Sequence, residues 1–178
     1  YRMTYNLKED SADTTKAVSV PKGAEALLES RYPYMDDTQI RYVLYSTAIS
    51  SGYSVLDDAE GWGRLNLFEA SNGYGSFDTD ITVNMDASKG GFNAADNWKN
   101  DISGTGSLTK EGSGMLVLSG NNTYTGTTTV DDGSIRADYA SAFGNGNVVN
   151  NSVIKENTDD TLKINGDYKL TAAASVSN

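Results

Sequence analysis

The second half of the chain alternates apolar and polar residues over short stretches, and a glycine, asparagine or aspartate interrupts the alternation every few positions. In the stretch 78–86, every second residue from Ile81 to Met85 is apolar, which predicts a strand with one buried face. Residues 107–110 and 115–118 predict two more strands, with a turn at the glycines between them. Strands this short do not form stable isolated hairpins. We therefore predict stacked coils, each covering the face of the one before, in a right-handed β-solenoid.

The first half has the three- and four-residue spacing that is typical of helices. Residues 21–32 begin with a proline suited to the first helical turn and continue with good helix formers. Residues 36–50 open with aspartates that can cap a helix, and four later positions share one face. These four are Ile40, Val43, Leu44 and Thr47. A third, short helix is predicted from Arg64 to Ser71, with Gly73 after it as a terminator.

The two patterns together predict an α+β chain. A small helical cap or junction region occupies residues 1–75, and a β-solenoid occupies residues 76–178. Glycines allow tight corners in the solenoid, and threonine and valine favour its pleated strands. The alternation places five apolar side chains in the interior, and Met115 and Val117 on the opposite side of their strand. The interior residues are Leu108, Leu116, Leu118, Val130 and Ile135.

Composition narrows the possible functions. The formal net charge of the 178 residues is −10, which disfavours binding to nucleic acid or to an anionic membrane surface. No apolar run approaches the roughly 20 residues that span a bilayer. The chain has no cysteine, which excludes disulfides and thiolate chemistry, and no histidine, the commonest general base and metal ligand. We expect no cofactor.

Pairs of adjacent aspartates recur along the chain and permit three interpretations. A glycosidase needs only two carboxylates, and Ca²⁺ prefers hard oxygen ligands. Aspartates also cap helices and form turns by accepting hydrogen bonds from nearby backbone amides. We favour the third interpretation, because each pair lies beside a turn or a helix start, and we assign no catalytic, cofactor-binding or metal-binding residue. The pairs are Asp36-Asp37, Asp57-Asp58, Asp131-Asp132 and Asp159-Asp160.

The aromatic residues also have two interpretations each. Trp62 lies between two glycines and could stack on a sugar. We favour packing of a helix start onto the first coil, with Arg64 paired to a neighbouring acid, and we favour core packing for Trp98. A tyrosine cluster near Arg31 and Arg41 could bind a ligand through cation–π contacts, but we favour a place at the rim of a small core.

The stretch "GTGSLTKEGSGMLVLSGNNTYTGTTTVDDGSI", residues 104–135, is very similar to the passenger-associated transport repeat of bacterial autotransporters. The family pattern runs G-x-G-x-L-x-K-x-G-x-G-x-L-x-L-x-G-x-N-x-Y-x-G-x-T. One departure is Thr127, where a second glycine is common. The positions that match are Gly104, Gly106, Leu108, Lys110, Gly112, Gly114, Leu116, Leu118, Gly120, Asn122, Tyr124, Gly126 and Thr128.

This resemblance implies a β-helical passenger exported through the outer membrane of a Gram-negative bacterium behind a C-terminal barrel. The expected location is therefore the cell surface or the extracellular space. The expected partners are parts of the same polypeptide, an upstream catalytic domain and a downstream β-helix and barrel. The lack of cysteine suits this route, because a disulfide-locked loop would hinder threading.

Residues 1 to about 106 resemble the region that follows the catalytic core in autotransporter acid phosphatases of the type 2 phosphatidic-acid phosphatase family. The resemblance rests on extended similarity, including "ALLESRYPYMDD" and "EGWGRLNLFEASNGYG". The catalytic signature of that family, a Lys and Arg-Pro segment, a Ser-Gly-His segment and a Ser-Arg segment followed by His and Asp, is absent. The resemblance therefore implies that the enzyme lies upstream of Tyr1.

The sequence thus predicts a non-enzymatic structural segment that caps and nucleates a β-helical stalk. Six residues are expected to hold it together, and they are Trp62, Arg64, Leu108, Leu116, Leu118 and Tyr124. Two alternatives stay open at this point. The chain could contribute accessory surface to an acid phosphatase, or it could be an adhesive or carbohydrate-binding β-helix.

Overall fold

A computed structural model of the chain describes residues 4–6, 8–9, 18–19, 22–48 and 64–178. Three short strands come first. Strand β1 (Thr4–Asn6) pairs with a later strand, and β2 (Lys8–Glu9) pairs antiparallel with β3 (Val18–Ser19).

Two helices follow close to where the apolar spacing predicts them. Helix α1 spans Lys22–Arg31 and helix α2 spans Asp37–Thr47. A capping box starts α2, because the Asp36 carboxylate accepts from the Gln39 backbone N–H and the Gln39 side chain accepts from the Asp36 N–H. The buried residues of α2 are Ile40, Val43, Leu44 and Thr47, the four that were predicted to share a face. The last two residues of the predicted 36–50 segment lie outside the described residues.

The predicted third helix is wrong over its first half. Residues Arg64–Asn66 form strand β4, which pairs antiparallel with β1, and only Leu67–Ala70 are helical, as α3. The Asn66 side chain caps α3 by accepting from the Glu69 backbone N–H at 3.1 Å. Local sequence favours a helix here, but a strand far away in the chain offers the backbone hydrogen bonds of a ladder instead, and tertiary context overrides propensity.

The rest of the chain is a parallel solenoid. Its strands are β5 (Ser76–Phe77), β6 (Ile81–Asn84), β7 (Ala95–Trp98), β8 (Ser103–Gly104), β9 (Leu108–Glu111), β10 (Met115–Leu118), β11 (Thr128–Val130), β12 (Ser134–Ala137), β13 (Val148–Asn150), β14 (Val153–Glu156), β15 (Tyr168–Leu170) and β16 (Ser175–Ser177). Two 3₁₀ turns, Ala87–Lys89 and Gly91–Asn93, lie between β6 and β7.

These strands form two five-stranded parallel sheets and one small pair. The first sheet has the order β6-β9-β11-β13-β15 and the second has the order β7-β10-β12-β14-β16, while β5 pairs with β8. Positions 108, 128, 148 and 168 are in register, so each of these turns takes 20 residues. We call β6 and β7, which begin the two sheets, the first rung. The predicted architecture, a helical part followed by a β-solenoid, is confirmed, whereas the predicted domain bounds at 75 and 76 stay a prediction.

The solenoid interior is filled by stacked apolar side chains. Leu116 lies directly in register with Ile135, and Leu108 lies in register with Ile81. All five residues that were expected in the interior are fully buried. The buried side chains of α2 belong to the same core as Phe77 and Trp98 of the solenoid, so the helices and the first rung share one apolar interior. No described helix has the length and apolarity that a membrane crossing requires.

The stacked core makes a testable prediction for Leu118, which is fully buried, and for its neighbour Ser119, which is half-exposed. We expect Leu118→Ala to lower the free energy of unfolding by about 2–5 kcal/mol through lost burial and a cavity. Ser119→Ala removes one hydrogen bond, from Oγ to Asn97 Oδ1 at 2.7 Å, and we expect a loss of about 0.5–1.5 kcal/mol. Urea unfolding followed by circular dichroism measures both. Equal, small losses would show that Leu118 does not support the stack.

Candidate functional site at the junction of the helices and the solenoid

A carboxylate occupies a core position of the first rung. Asp96 of β7 is in register with Leu116, which is followed in the same row by Ile135 and Ile154. All four side chains are buried, and the residues between them along each strand face outward. A charge in such a row is costly unless a cation and hydrogen-bond donors neutralise it. The partners of Asp96 therefore decide whether the first rung is stable.

The helical part supplies those partners. Nη1 of Arg31, the last residue of α1, donates to Asp96 Oδ2 at 2.7 Å, and the Tyr34 O–H donates to the same oxygen at 2.5 Å. Asp96 Oδ1 accepts from the Asn97 backbone N–H at 2.7 Å. Burial, followed by the adjacent Asp96 carboxylate, raises the pKa of Tyr34 well above its ordinary value, so this phenol stays protonated and keeps donating. The Trp98 indole N–H in turn donates to the Tyr34 oxygen at 2.9 Å.

The Arg31 guanidinium is held in place by the backbone and by two rings. Its Nε donates to the Ser71 carbonyl at 2.9 Å. Its central carbon lies 4.5 Å from the ring centroid of Tyr32 and 4.4 Å from that of Phe92, both within cation–π distance. The Tyr32 hydroxyl, fully buried, donates to the Ala70 carbonyl and accepts from the Gly73 N–H. The tyrosine–arginine contacts thus join the helices to the solenoid.

Backbone groups at the edge of the first rung also find partners in the helical part and the segment after it. The Gln39 side chain of α2 donates to the Thr82 carbonyl of β6 at 2.7 Å. Beyond the end of β7, the Lys99 and Asn100 N–H groups both donate to the Asn72 carbonyl. The Ser46 hydroxyl accepts from the Gly75 N–H at 3.0 Å. Polar groups that an open sheet edge would leave unpaired are satisfied at these positions.

The six residues that the sequence singled out divide into two groups. Leu108, Leu116, Leu118 and Tyr124 are fully buried inside the solenoid, each with an exposed fraction of 0%. The Tyr124 hydroxyl lies 2.5 Å from the Thr128 hydroxyl, and its ring is 4.8 Å from that of Phe77. Trp62 and the side chain of Arg64 lie outside the described residues. Trp98, for which core packing was favoured, is fully buried.

Sequence reasoning missed the Arg31–Asp96–Tyr34 network. The available signal was an aspartate at a strand position where alternation calls for an apolar residue, in the segment "AADNW". Its two partners lie more than sixty positions earlier in the chain, with separations of 65 and 62 residues. No local pattern identifies such a pairing.

Lys110, a position of the transport repeat, is a second charged residue in the interior. Its side chain is fully buried, and Nζ donates to the carbonyls of Glu111, Gly112 and Asp132 at 2.7, 2.8 and 3.3 Å. The ammonium thereby ties together the corners of two successive turns. Gly112 has a φ of +75°, and a Cβ there would lie 2.3 Å from the Met85 carbonyl oxygen, so only glycine fits this corner. Burial lowers the pKa of Lys110 to about 8.

Three of the described paired aspartates make structural contacts, and Asp159 and Asp160 are exposed in a bend after β14. Asp36 caps α2, Asp132 accepts from the Gly133 N–H at 2.8 Å, and Asp131 accepts from the Asn151 side chain at 2.8 Å. Asp57 and Asp58 lie outside the described residues. Within the part of the chain that the structure describes, no group of three or more acidic side chains is arranged to hold a metal ion.

Sequence comparison with known proteins relates this chain to autotransporter and extracellular proteins. Residues 108–137 match the model of the passenger-associated transport repeat, which confirms the predicted repeat. The chain is 41% identical over 125 residues to the neisserial autotransporter lipoprotein NalP of Neisseria meningitidis, and 34% identical over 163 residues to an extracellular serine protease of Serratia marcescens. It is 32% identical over 133 residues to serotype-specific antigen 1 of Mannheimia haemolytica.

These similarities cover most of this chain but a small part of each relative. They include 70%, 72% and 74% of this chain, respectively. The same alignments span 11%, 15% and 13% of the relatives' lengths. The chain therefore corresponds to one short segment of much longer polypeptides.

The buried ion pair predicts an asymmetry between two arginine variants. We expect Arg31→Met to lower the free energy of unfolding by about 3–5 kcal/mol, because it leaves the Asp96 carboxylate buried and unpaired. Arg41→Met breaks the more exposed pair with Glu25, whose N–O distance is 2.9 Å. We expect this variant to lose less than about 1 kcal/mol of unfolding free energy. Denaturant unfolding of both variants gives the comparison.

The double variant Arg31→Met/Asp96→Asn tests whether the unpaired charge causes this loss. The amide keeps an acceptor for Tyr34 without a charge, so we expect it to recover much of the stability that Arg31→Met loses. An Arg31→Met loss no greater than that of Arg41→Met, or no recovery in the double variant, would contradict the assignment of the loss to an unpaired Asp96 carboxylate.

The lowered pKa of Lys110 predicts a pH dependence of stability. Between about pH 8 and 10.5 the unfolded chain keeps the Lys110 proton while the folded chain releases it, so the free energy of unfolding rises with pH over this window. Below pH 8 both states are protonated and this contribution is constant. We expect Lys110→Met to lack the rise, and Lys155→Met, a half-exposed control on β14, to retain it. Urea unfolding from about pH 7 to 10 measures the difference. Parallel pH profiles for all three proteins would contradict the prediction.

Proposed function

We propose that this chain, a β-helical segment of an autotransporter passenger, closes the amino-terminal end of the β-helix and provides the template on which later coils stack. The observation that carries the proposal is the ion pair between Arg31 of α1 and Asp96 in the core row of the first rung. A core carboxylate at this one rung makes sense where a second element supplies its cation. The hydrogen bonds from Gln39 and to Asn72 support the same role.

The physical reason for such a closure is the open edge of a parallel sheet. Unpaired N–H and C=O groups on an edge strand pair readily with other chains, and natural sheets cover or interrupt their edges. Here the covering element also adds apolar burial, since Ile40, Val43 and Leu44 share a core with Phe77 and Trp98. The closure thus protects the first rung and contributes to its stability.

The proposal includes a location and covalent partners. Because the relatives are named as autotransporter and extracellular proteins of Gram-negative bacteria, we place this chain at the cell surface or in the extracellular space. Its partners are an upstream catalytic domain and a downstream β-helix and barrel of the same polypeptide. The lengths of the relatives, of which the chain covers about a tenth to a seventh, leave room for both.

The upstream domain has two candidates. One relative is named an extracellular serine protease, and its alignment of 163 residues extends well beyond the transport repeat, which favours a protease. The resemblance of residues 1 to about 106 to autotransporter acid phosphatases stays a second hypothesis. In both cases we propose that this chain itself is catalytically inert. The purified chain should hydrolyse neither a phosphomonoester nor a casein substrate above a protein-free control, and turnover of either would contradict inertness.

Removal of the helical part tests the closure. A chain that starts at Ser76 lacks Arg31, Tyr34 and Gln39, and we expect it to aggregate more and to unfold less cooperatively than the 178-residue chain. Sedimentation velocity and thermal unfolding measure the two properties. As a matched control, the truncated chain with Asp96→Asn removes the unpaired core carboxylate but keeps the open edge, so it should regain part of the stability and still aggregate. Identical melting and a monomeric state for all three chains would contradict the proposal.

A further inference from the structure

A groove of about 630 Å³ lies on the outer face of the second sheet, where the helical part meets the solenoid. Its floor is made by outward-facing side chains of neighbouring strands, including Ala95 of β7 and Met115 and Val117 of β10. Arg31 and Phe92 form part of its walls. Of these five residues, the proposed closure uses Arg31 alone, through its ion pair with Asp96.

The floor of the groove is unusually apolar for the outside of a solenoid. Strand alternation points Met115 and Val117 away from the interior, opposite to Leu116 and Leu118. Outward-facing positions on a sheet that meets water are normally polar. Val117 is nevertheless only 4% exposed, and Met115 is half-buried. The sheet therefore offers a sheltered apolar strip beside the helices.

The charge of the groove is opposite to that of the chain. The formal net charge of the whole chain is −10, yet the groove is lined by three cations, Arg31, Lys99 and Arg136, and by one carboxylate, Asp96, which is bonded to Arg31. Arg136 donates to both carboxylate oxygens of Asp138, at 2.7 and 2.9 Å, so its charge, like that of Arg31, is already compensated. Lys99 carries the uncompensated charge of the lining. The exposed Lys99 ammonium has no hydrogen-bond or ion-pair partner among the residues that the structure describes.

The spacing of the cations fits an extended chain. Asn97, Val117 and Arg136 are in register on three successive strands, and Lys99 lies just beyond the end of the first of them. Since neighbouring strands are about 4.8 Å apart, the outer two of these strands are about 10 Å apart. Lys99 also lies two residues, or about 7 Å, further along its strand than Asn97, so Lys99 and Arg136 are about 12 Å apart. Carboxylates four residues apart on an extended peptide share one face and span about 13 Å, because each residue adds about 3.3 Å.

We propose that this groove binds an acidic peptide segment of another protein, with an aliphatic side chain on the Met115–Val117 floor and flanking carboxylates at Lys99 and Arg136. Charge complementarity selects an acidic partner from a chain that is itself acidic. The apolar floor favours a peptide over an anionic polysaccharide, whose hydroxyl-rich rings would leave Val117 and Met115 without apolar contact. The inference is independent of the proposed closure, since it concerns the outer face of the sheet.

The test uses the 178-residue chain and a fluorescein-labelled probe peptide, Gly-Glu-Ser-Leu-Val-Glu-Gly, in fluorescence polarisation. Its glutamates are four residues apart, and the leucine lies between them on the same face. We expect saturable binding that weakens as salt rises from about 0.02 to 0.15 M, since the contacts at the rim are exposed charges. The double variant Lys99→Glu/Arg136→Gln should raise the Kd by roughly tenfold or more, which corresponds to about 1.4 kcal/mol. Lys169→Glu/Lys163→Gln changes the net charge equally at exposed cations that do not line the groove, and should leave the Kd within about twofold.

Two altered probes separate the floor from the rim. Replacing both glutamates by glutamine, or Leu-Val by Ser-Ser, should each weaken binding, because the first removes the charges and the second the apolar contact. Four results would overturn the proposal: no saturable binding, equal losses in the two double variants, unchanged binding of the Ser-Ser peptide, or tighter, variant-sensitive binding of dextran sulfate. Concentration-dependent dimerisation that Lys99→Glu/Arg136→Gln abolishes would identify a second copy as the occupant and would also overturn it. Melting temperatures of all variants establish that each is folded.

Discussion

A stack of strands that are only two to four residues long has no stable unit smaller than the stack, and every other feature of the solenoid depends on this constraint. Each strand obtains its hydrogen bonds and its apolar contacts from the turns before and after it. The cost of this arrangement falls on the first turn, which has a neighbour on one side only. In the proposed closure, the helical part is the second neighbour, through buried apolar residues, a glutamine to an edge carbonyl and an arginine to a core carboxylate.

The interior of the solenoid uses charge sparingly and always with several partners. Asp96 accepts from Arg31, Tyr34 and its own neighbour's amide, and Lys110 donates to three backbone carbonyls. In both cases the partners come from different turns or from the helical part, so the charge joins elements that would otherwise be connected by apolar contact alone. Removing one partner is costlier than replacing the whole group, which is the reason that such sites hold elements together.

Much of the solenoid could be predicted from local sequence, because alternating apolar and polar residues indicate its strands and glycines indicate its corners. The interior placement of residues such as Leu116 and Ile135 follows from the two-residue period of a strand. The strand at Arg64–Asn66 could not be predicted, since its partner β1 lies some sixty residues earlier and local propensity favours a helix. Asp96 departs from the alternation of its strand, but only the position of Arg31 in space gives it a role. Val117 was expected outside and does face outward, yet it is only 4% exposed at the floor of the groove.

The position of Asp96 in an otherwise apolar row has a consequence for how the coils are counted. The parallel register repeats from one turn to the next, so backbone hydrogen bonds alone would also allow the stack to begin one turn late. A late start would place Leu116 against the Arg31 guanidinium and would leave that cation without a carboxylate. Asp96 is therefore the position in this row whose charge matches Arg31, and it distinguishes the first coil of the solenoid from the later coils.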